Sequence, residues 1–429
     1  MYPKSVLDLL YKPSYWPKIV SSGNDYDKYV AALTALASYG AYEAGQGELL
    51  KSLLVQRLSL PADVVSVESI SISAPALFVD TNAYVVRIPI DVADASRGSV
   101  VILVFRGTEF VGSNFLVDVF TDARAVPVQF PAAAERSAAD AGTLLSGFER
   151  IRADAVEALA RFGLFSPRHL DTDGKSYVHG GFLTAADLVW SKLIDELALP
   201  PSEPSAQLGA STAGNGGSHP LGGDGRSSMG LHGLSRLRSN DRLYITGHSL
   251  GAAVAVLAAA RLLYPPIALK PQLENIKSQL RGVYTFGQPM IGGERFKAVA
   301  ESELAERTFR HVYRDDWVPH LPPVTTGLYT HFGKEYRARS STTRFVETPE
   351  KTGQALSAIG SGVIAALPFM FKAIRVLNAI GFKYSVEDHQ PENYWRSCEA
   401  ALDAVTVEKG AQPDSRNRMD RPSPEQPRA

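Results

Sequence analysis

Apolar positions along the chain change period several times, and each change marks an expected element. Residues 25–59 place Tyr26, Tyr29, Leu33, Leu36 and Tyr39 at helical spacing with alanine between them, which predicts helix. Two strand-like runs follow, Ala83–Ile88 and Val100–Phe105. The second is continuously apolar, as expected of a strand covered on both faces of a parallel sheet. A third strand, Leu243–Thr246, leads through a tight glycine-containing turn into the Ala/Val/Leu-rich stretch Ala252–Leu263. That stretch is predicted to be a helix ending at Tyr264-Pro265-Pro266, because proline cannot continue it. Gly282–Gly287 predicts a fourth strand, followed by a helix near Glu294–Leu304. Phe309–Tyr313 predicts a fifth, ending at Arg314-Asp315-Asp316, and a last helix is expected from Glu392. Strands alternating with helices predict an α/β protein with a mostly parallel central sheet.

Composition divides the chain further. Residues 1–405 read as one catalytic-sized domain, with inserts near 131–172, 202–240 and 340–385. The 202–240 insert is rich in Gly and Ser and lacks apolar clustering, so it reads as a flexible loop. Residues 406–429 read as a disordered tail. A net charge of −1 with no basic run gives no footprint for nucleic acid. The single cysteine, Cys398, excludes an intramolecular disulfide and argues against a thiolate metal site, so neither metal nor cofactor is expected. Asp8, Lys12 and two prolines interrupt the N-terminal region where a secretory signal needs an apolar run. The expected location is the cytoplasm or a membrane surface, with export by another route left open.

The richest chemistry lies at Gly247-His248-Ser249-Leu250-Gly251. The pattern G-x-S-x-G is common by chance, but here a strand enters it and an alanine-rich helix leaves it. That is the strand–turn–helix setting a nucleophilic serine needs. Gly247 is expected to let the turn close against neighbouring strands, and Gly251 to let the helix start pack closely. The helix N-terminus presents N–H groups where an oxyanion would form. The competing reading is a Gly-rich turn whose serine merely caps the helix.

A serine nucleophile requires a base, and the base requires an orienting carboxylate. Asp315 and Asp316 both follow the fifth strand, and adjacent carboxylates point apart, so one is expected to face the base. Three histidines lie downstream. His320 is four residues from Asp316 in a proline-flanked turn and would have to curl back on its own loop. His331 lies in Tyr329–Tyr336, which alternates like a strand, where a histidine is more often structural. His389 precedes a helix on a loop, free to turn its ring into a site, and is the preferred base, with His331 in reserve.

Four blocks then resemble the class 3, fungal-type lipases of the α/β-hydrolase superfamily. They are Val104-Phe105-Arg106-Gly107-Thr108, Val178-His179-Gly180-Gly181-Phe182, Gly247–Gly251, and Asp316-Trp317-Val318-Pro319-His320-Leu321-Pro322-Pro323. Asp388-His389 followed by Tyr394 is a looser fifth match, and His331–Glu335 is similar to a non-catalytic segment of that family. The resemblance implies an α/β-hydrolase fold with helical lid segments and metal-free, serine-dependent ester hydrolysis. It implies Ser249, Asp316 and His389 as the catalytic triad, with the Thr108 and Leu250 amides as the oxyanion hole. The implied activity is that of a triacylglycerol lipase. A phospholipase, and a catalytically silent lipid-binding protein on the same fold, are the alternatives.

Residues 352–371 carry no charge and are long enough to cross a bilayer. A crossing there would put His389 on the far side of the membrane from Ser249 and Asp316, so no transmembrane span is expected. Two readings remain for 352–382, a buried or surface-packed helical hairpin and an apolar flap that rests on a lipid surface or lines an acyl site. The segment 109–131 is the competing candidate for the lid and lipid contact.

Overall fold

The computed structural model describes residues 4–21, 25–42, 46–74, 79–107, 127–130, 176–197, 237–265, 270–321, 329–339, 345–348 and 387–403. The expected inserts, lid segments and tail fall wholly or largely outside them, as does Thr108.

Helices α1 (Lys4–Leu10), α2 (Trp16–Ile19), α3 (Lys28–Gly40) and α4 (Glu48–Leu58) precede the first strand. The single helical region expected over 25–59 is therefore two helices. Asp27 caps α3 by accepting the Tyr29 and Val30 amides at 2.7 and 3.1 Å. Gly47, in the left-handed region at φ 94°, starts α4. A side chain there would strike Val67.

The central sheet has eight strands: β1 (Ser66–Ala74), β2 (Val79–Pro89), β3 (Ser99–Phe105), β6 (Arg242–His248), β7 (Leu280–Phe286), β8 (Thr308–Tyr313), β9 (Lys334–Ala338) and β10 (Val346–Thr348), side by side in that order. The five from β3 to β9 run parallel, and antiparallel pairings at each end add β1, β2 and β10. A separate two-stranded sheet joins β4 (Pro127–Gln129) to β5 (Tyr177–His179). The strand β1 was not among the expected elements, although Ile70 and Ile72 alternate with serines as in a half-buried strand. The strand expected across Tyr329–Tyr336 begins only at Lys334, since Gly333 at φ 77° turns the chain just before it.

Helices α5 (Gly180–Leu197), α6 (Leu250–Leu263), α7 (Lys270–Gln279), α8 (Glu294–Ala300) and α9 (Pro391–Asp403) complete the described elements. The central strands feed two cores because their successive residues face opposite ways. Val101, Leu103, Phe105, Leu243 and Ile245 pack with α5 and α6. Val100, Ile102, Val104 and Tyr244 pack with α3, α4 and α9. Helix α6 is apolar all round and buried along almost its whole length, as a helix sandwiched between a sheet and a second helix must be. Its one charge, Arg261, is matched by Asp187 of α5 at 2.6 Å. Layers of helices on both faces of a mostly parallel sheet make this a three-layer α/β fold, as expected. Among the described residues no helix is long and apolar enough to cross a membrane. The 352–371 stretch lies outside them.

Candidate active site

The parallel strands end along one edge of the sheet, where sites in such folds collect. Ser249 follows β6 with φ 59° and ψ −129°, a conformation that L-residues avoid. Such backbone costs about 1–3 kcal/mol and persists only where its surroundings enforce it. Here the enforcement is steric. A Cβ on Gly247 would lie 2.3 Å from the Gly251 carbonyl oxygen. A Cβ on Gly251 would lie 2.3 Å from the Phe105 carbonyl oxygen at the end of β3. Gly251 thus lets the helix start pack closely against the end of β3, while Gly247 closes against the helix start rather than against a neighbouring strand.

Ser249 does not cap α6. Its side chain makes no cap hydrogen bond, and its Oγ is buried with no hydrogen-bond partner among the described residues. Its amide donates instead to the Phe286 carbonyl at 2.9 Å, tying the turn to the end of β7. Leu250 opens the helix, so its amide is among those without an intrahelical acceptor. Gly107, the last described residue of the block that contains Thr108, is pressed against the elbow. A Cβ on it would lie 2.1 Å from the Tyr42 hydroxyl and 2.5 Å from the His248 carbonyl.

Asp316 follows β8 and is fully buried. Its Oδ1 accepts the Val318 amide at 2.9 Å, and its Oδ2 is 2.7 Å from His389 Nδ1. The same Oδ2 accepts the Tyr394 hydroxyl. Asp315 is exposed and points elsewhere, its amide reaching Asp388 at 3.4 Å. His389 sits in a single 3-10 turn, Glu387–His389, directly before α9 and is buried. Gly287, at φ 58° after β7, fits against this pair. A Cβ there would be 2.7 Å from the His389 ring and 2.9 Å from Asp316 Oδ2. Since Ser249 is bonded to Phe286 and Gly287 touches His389 and Asp316, the ends of β6, β7 and β8 bring all three residues to one place.

The other histidines are occupied differently. His331 bonds the Pro319 carbonyl through Nε2 at 2.6 Å, and burial among Arg310, His320 and Arg337 holds its pKa well below the usual value. His320 is buried in the 3-10 turn Val318–His320. His179 stacks on Phe182 at 3.8 Å, and its Nδ1 accepts the Phe182 amide at 3.4 Å. Burial lowers its pKa to about 3. His248, beside the nucleophile, is held well below its ordinary pKa by burial and then by His389.

Tyr394 was noted in the sequence only as part of the block after His389, with no role given to it. Two further residues at the site were not singled out by the sequence. Gly287 carried a weak signal, a glycine at the end of an apolar strand. Tyr42 carried none. Helix α9, which bears Tyr394, is anchored far from the site. Glu399 receives Arg57 at 2.9 and 2.8 Å and the Trp395 indole at 3.2 Å. Arg57 in turn bonds the Pro13 carbonyl at 2.9 Å and lies 4.2 Å over the Tyr15 ring. Among the described residues no group of three His, Cys, Asp or Glu is placed to hold a metal ion.

Residues 227–326 match the family model described as Lipase (class 3). The chain is 42% identical over 107 residues to a triacylglycerol lipase of Arabidopsis thaliana, covering 23% of this chain and 20% of the relative. It is 38% identical over 96 residues to a lipase of Rhizomucor miehei, covering 22% of this chain and 24% of the relative. The chain thus spans less than a quarter of the length of each of these curated relatives. A solved structure of Rhizomucor miehei triacylglyceride lipase aligns with a TM-score of 0.45 at 19% identity, covering 78% of this chain and 94% of that one.

Proposed function

We propose, for a chain whose residues 227–326 match the class 3 lipase family model, that the protein hydrolyses carboxylic esters through Ser249, His389 and Asp316. The observation that carries this reading is the buried His389–Asp316 hydrogen bond of 2.7 Å together with a strained, buried serine whose hydroxyl has no hydrogen-bond partner among the described residues.

His389 takes the Ser249 proton through Nε2 as Oγ attacks the ester carbonyl carbon. Asp316, buried and hydrogen-bonded to Nδ1, fixes the tautomer and stabilises the imidazolium. The Leu250 amide at the start of α6 receives the developing oxyanion, with the Thr108 amide as its partner donor. Each such donor is worth about 3 kcal/mol of barrier. His389 then returns its proton to the leaving alcohol, and water releases the acid by the reverse sequence. Triacylglycerol is the proposed substrate, since the relative from Arabidopsis thaliana is a triacylglycerol lipase.

The test is Ser249→Ala against a chromogenic short-chain ester, with folding checked by circular dichroism. A drop of at least about 10⁴-fold in kcat is expected. Activity near wild type would refute the nucleophile. A panel varying acyl length and head group then separates triacylglycerols from other esters.

A further inference from the structure

The Tyr42 hydroxyl lies 2.7 Å from His248 Nδ1. On its far side the His248 ring lies 4.5 Å from the His389 ring, with the planes inclined by 35°. The Tyr394 ring meets His248 edge-on at 5.5 Å, as does the Tyr42 ring at the same distance. His248 is completely buried, so its imidazole forms a wall between the N-terminal helices and the base.

The bond from His389 Nδ1 to Asp316 fixes the edge of the ring, and contact with His248 supports it on a face that this bond does not control. His248 can serve as a wall only if its own ring is pinned, and the Tyr42 hydroxyl supplies the pin. That hydroxyl is itself confined, because Gly107 leaves room for it and any side chain at 107 would collide with it. Burial keeps His248 neutral, so the wall does not oppose the positive charge that His389 acquires.

We infer that Tyr42 and His248 are a positioning pair for the general base, acting through the ring stack Tyr42–His248–His389 rather than on the substrate. The inference rests on His389 being the base. It also gives a function to the residue before the nucleophile.

The experiment measures kcat and KM on a soluble chromogenic ester for the full chain, Tyr42→Phe, His248→Leu and the double variant. Fluorophosphonate labelling of Ser249 runs in parallel. Tyr42→Phe should lower kcat about tenfold while KM stays within about twofold, because misorientation of a catalytic group costs turnover and spares binding. The double variant should be no worse than His248→Leu, since the tyrosine acts through the histidine. Wild-type kcat in Tyr42→Phe, or losses that multiply in the double variant, would overturn the pair. If His248→Leu fails to fold, the labelling rate of Tyr42→Phe decides: slower than wild type supports the pair, and an equal rate overturns it. Absence of labelling in the wild type would bring down the nucleophile assignment itself, and the positioning pair with it.

Discussion

Ser249 lies in one unbroken strand–turn–helix, Arg242–Leu263, wedged against the backbone of the neighbouring strands, whereas His389 is held by side chains drawn from widely separated parts of the sequence. On the nucleophile side the controlling forces are hard contacts. Backbone atoms lie 2.3 Å from where a Cβ would stand on either flanking glycine, and backbone cannot give way. On the base side they are hydrogen bonds and charge. Asp316 and Tyr394 hold the ring's neighbourhood, and the buried Arg57–Glu399 pair holds the helix that follows it. The difference implies a rigid nucleophile and a base whose position depends on distant residues. It also implies that the two sides fail differently.

Removing the charge that orients the base, with Asp316→Asn, should produce the largest effect. The amide would favour the wrong His389 tautomer, and kcat should fall by about 10³–10⁴-fold with the fold retained. A loss below tenfold would mean that the base side does not depend on Asp316.

Arg57→Met probes the distant anchor. Glu399 has no solvent exposure, and losing its partner leaves a buried charge uncompensated. Breaking such a pair costs about 3–5 kcal/mol. Urea unfolding should show that loss, and the double variant Arg57→Met/Glu399→Met should recover much of it. At low urea, activity should disappear before the α6 side of the core unfolds. Simultaneous loss would erase the contrast between the two sides.

Acid should weaken the whole molecule more gently. Burial lowers the pKa of His179 and of His311 to about 3, while an unfolded histidine titrates near 6.5. Between those values the unfolded chain binds protons that the folded one refuses. Stability is therefore full above about pH 6.5 and falls as pH drops toward 3, by about 1.4 kcal/mol per pH unit for each such histidine. Urea midpoints measured at pH 7.5 and pH 5 should show the fall; equal midpoints would contradict the buried neutral state.

How much of this was legible in the sequence follows the same division. The elbow was readable because its signal is local: a β-branched strand, two glycines and an alanine helix in succession. The partners of its glycines were not, since Gly251 meets Phe105 from β3, far away in the chain. Helix α6 was legible to within two residues of its start because Pro265 stops it. The break between α3 and α4 was missed because the helical spacing of Tyr26–Tyr39 was extended across Gly45-Gln46-Gly47. Among His320, His331 and His389, spacing could favour one but not place it. The choice depends on which ring the β8 turn and the start of α9 bring to Asp316. Tyr42 left no trace at all, because it bonds to a residue 206 positions further along the chain.

The central claim is that Ser249 is activated by His389 and by no other histidine. Fluorophosphonate labelling followed by mass spectrometry of the modified peptide tests it directly, on wild type, His389→Ala and His331→Ala. The account predicts a label on Ser249 that forms at an undiminished rate in folded His331→Ala and all but vanishes in His389→Ala. Rapid labelling of Ser249 without His389, or a label on another serine, would contradict it.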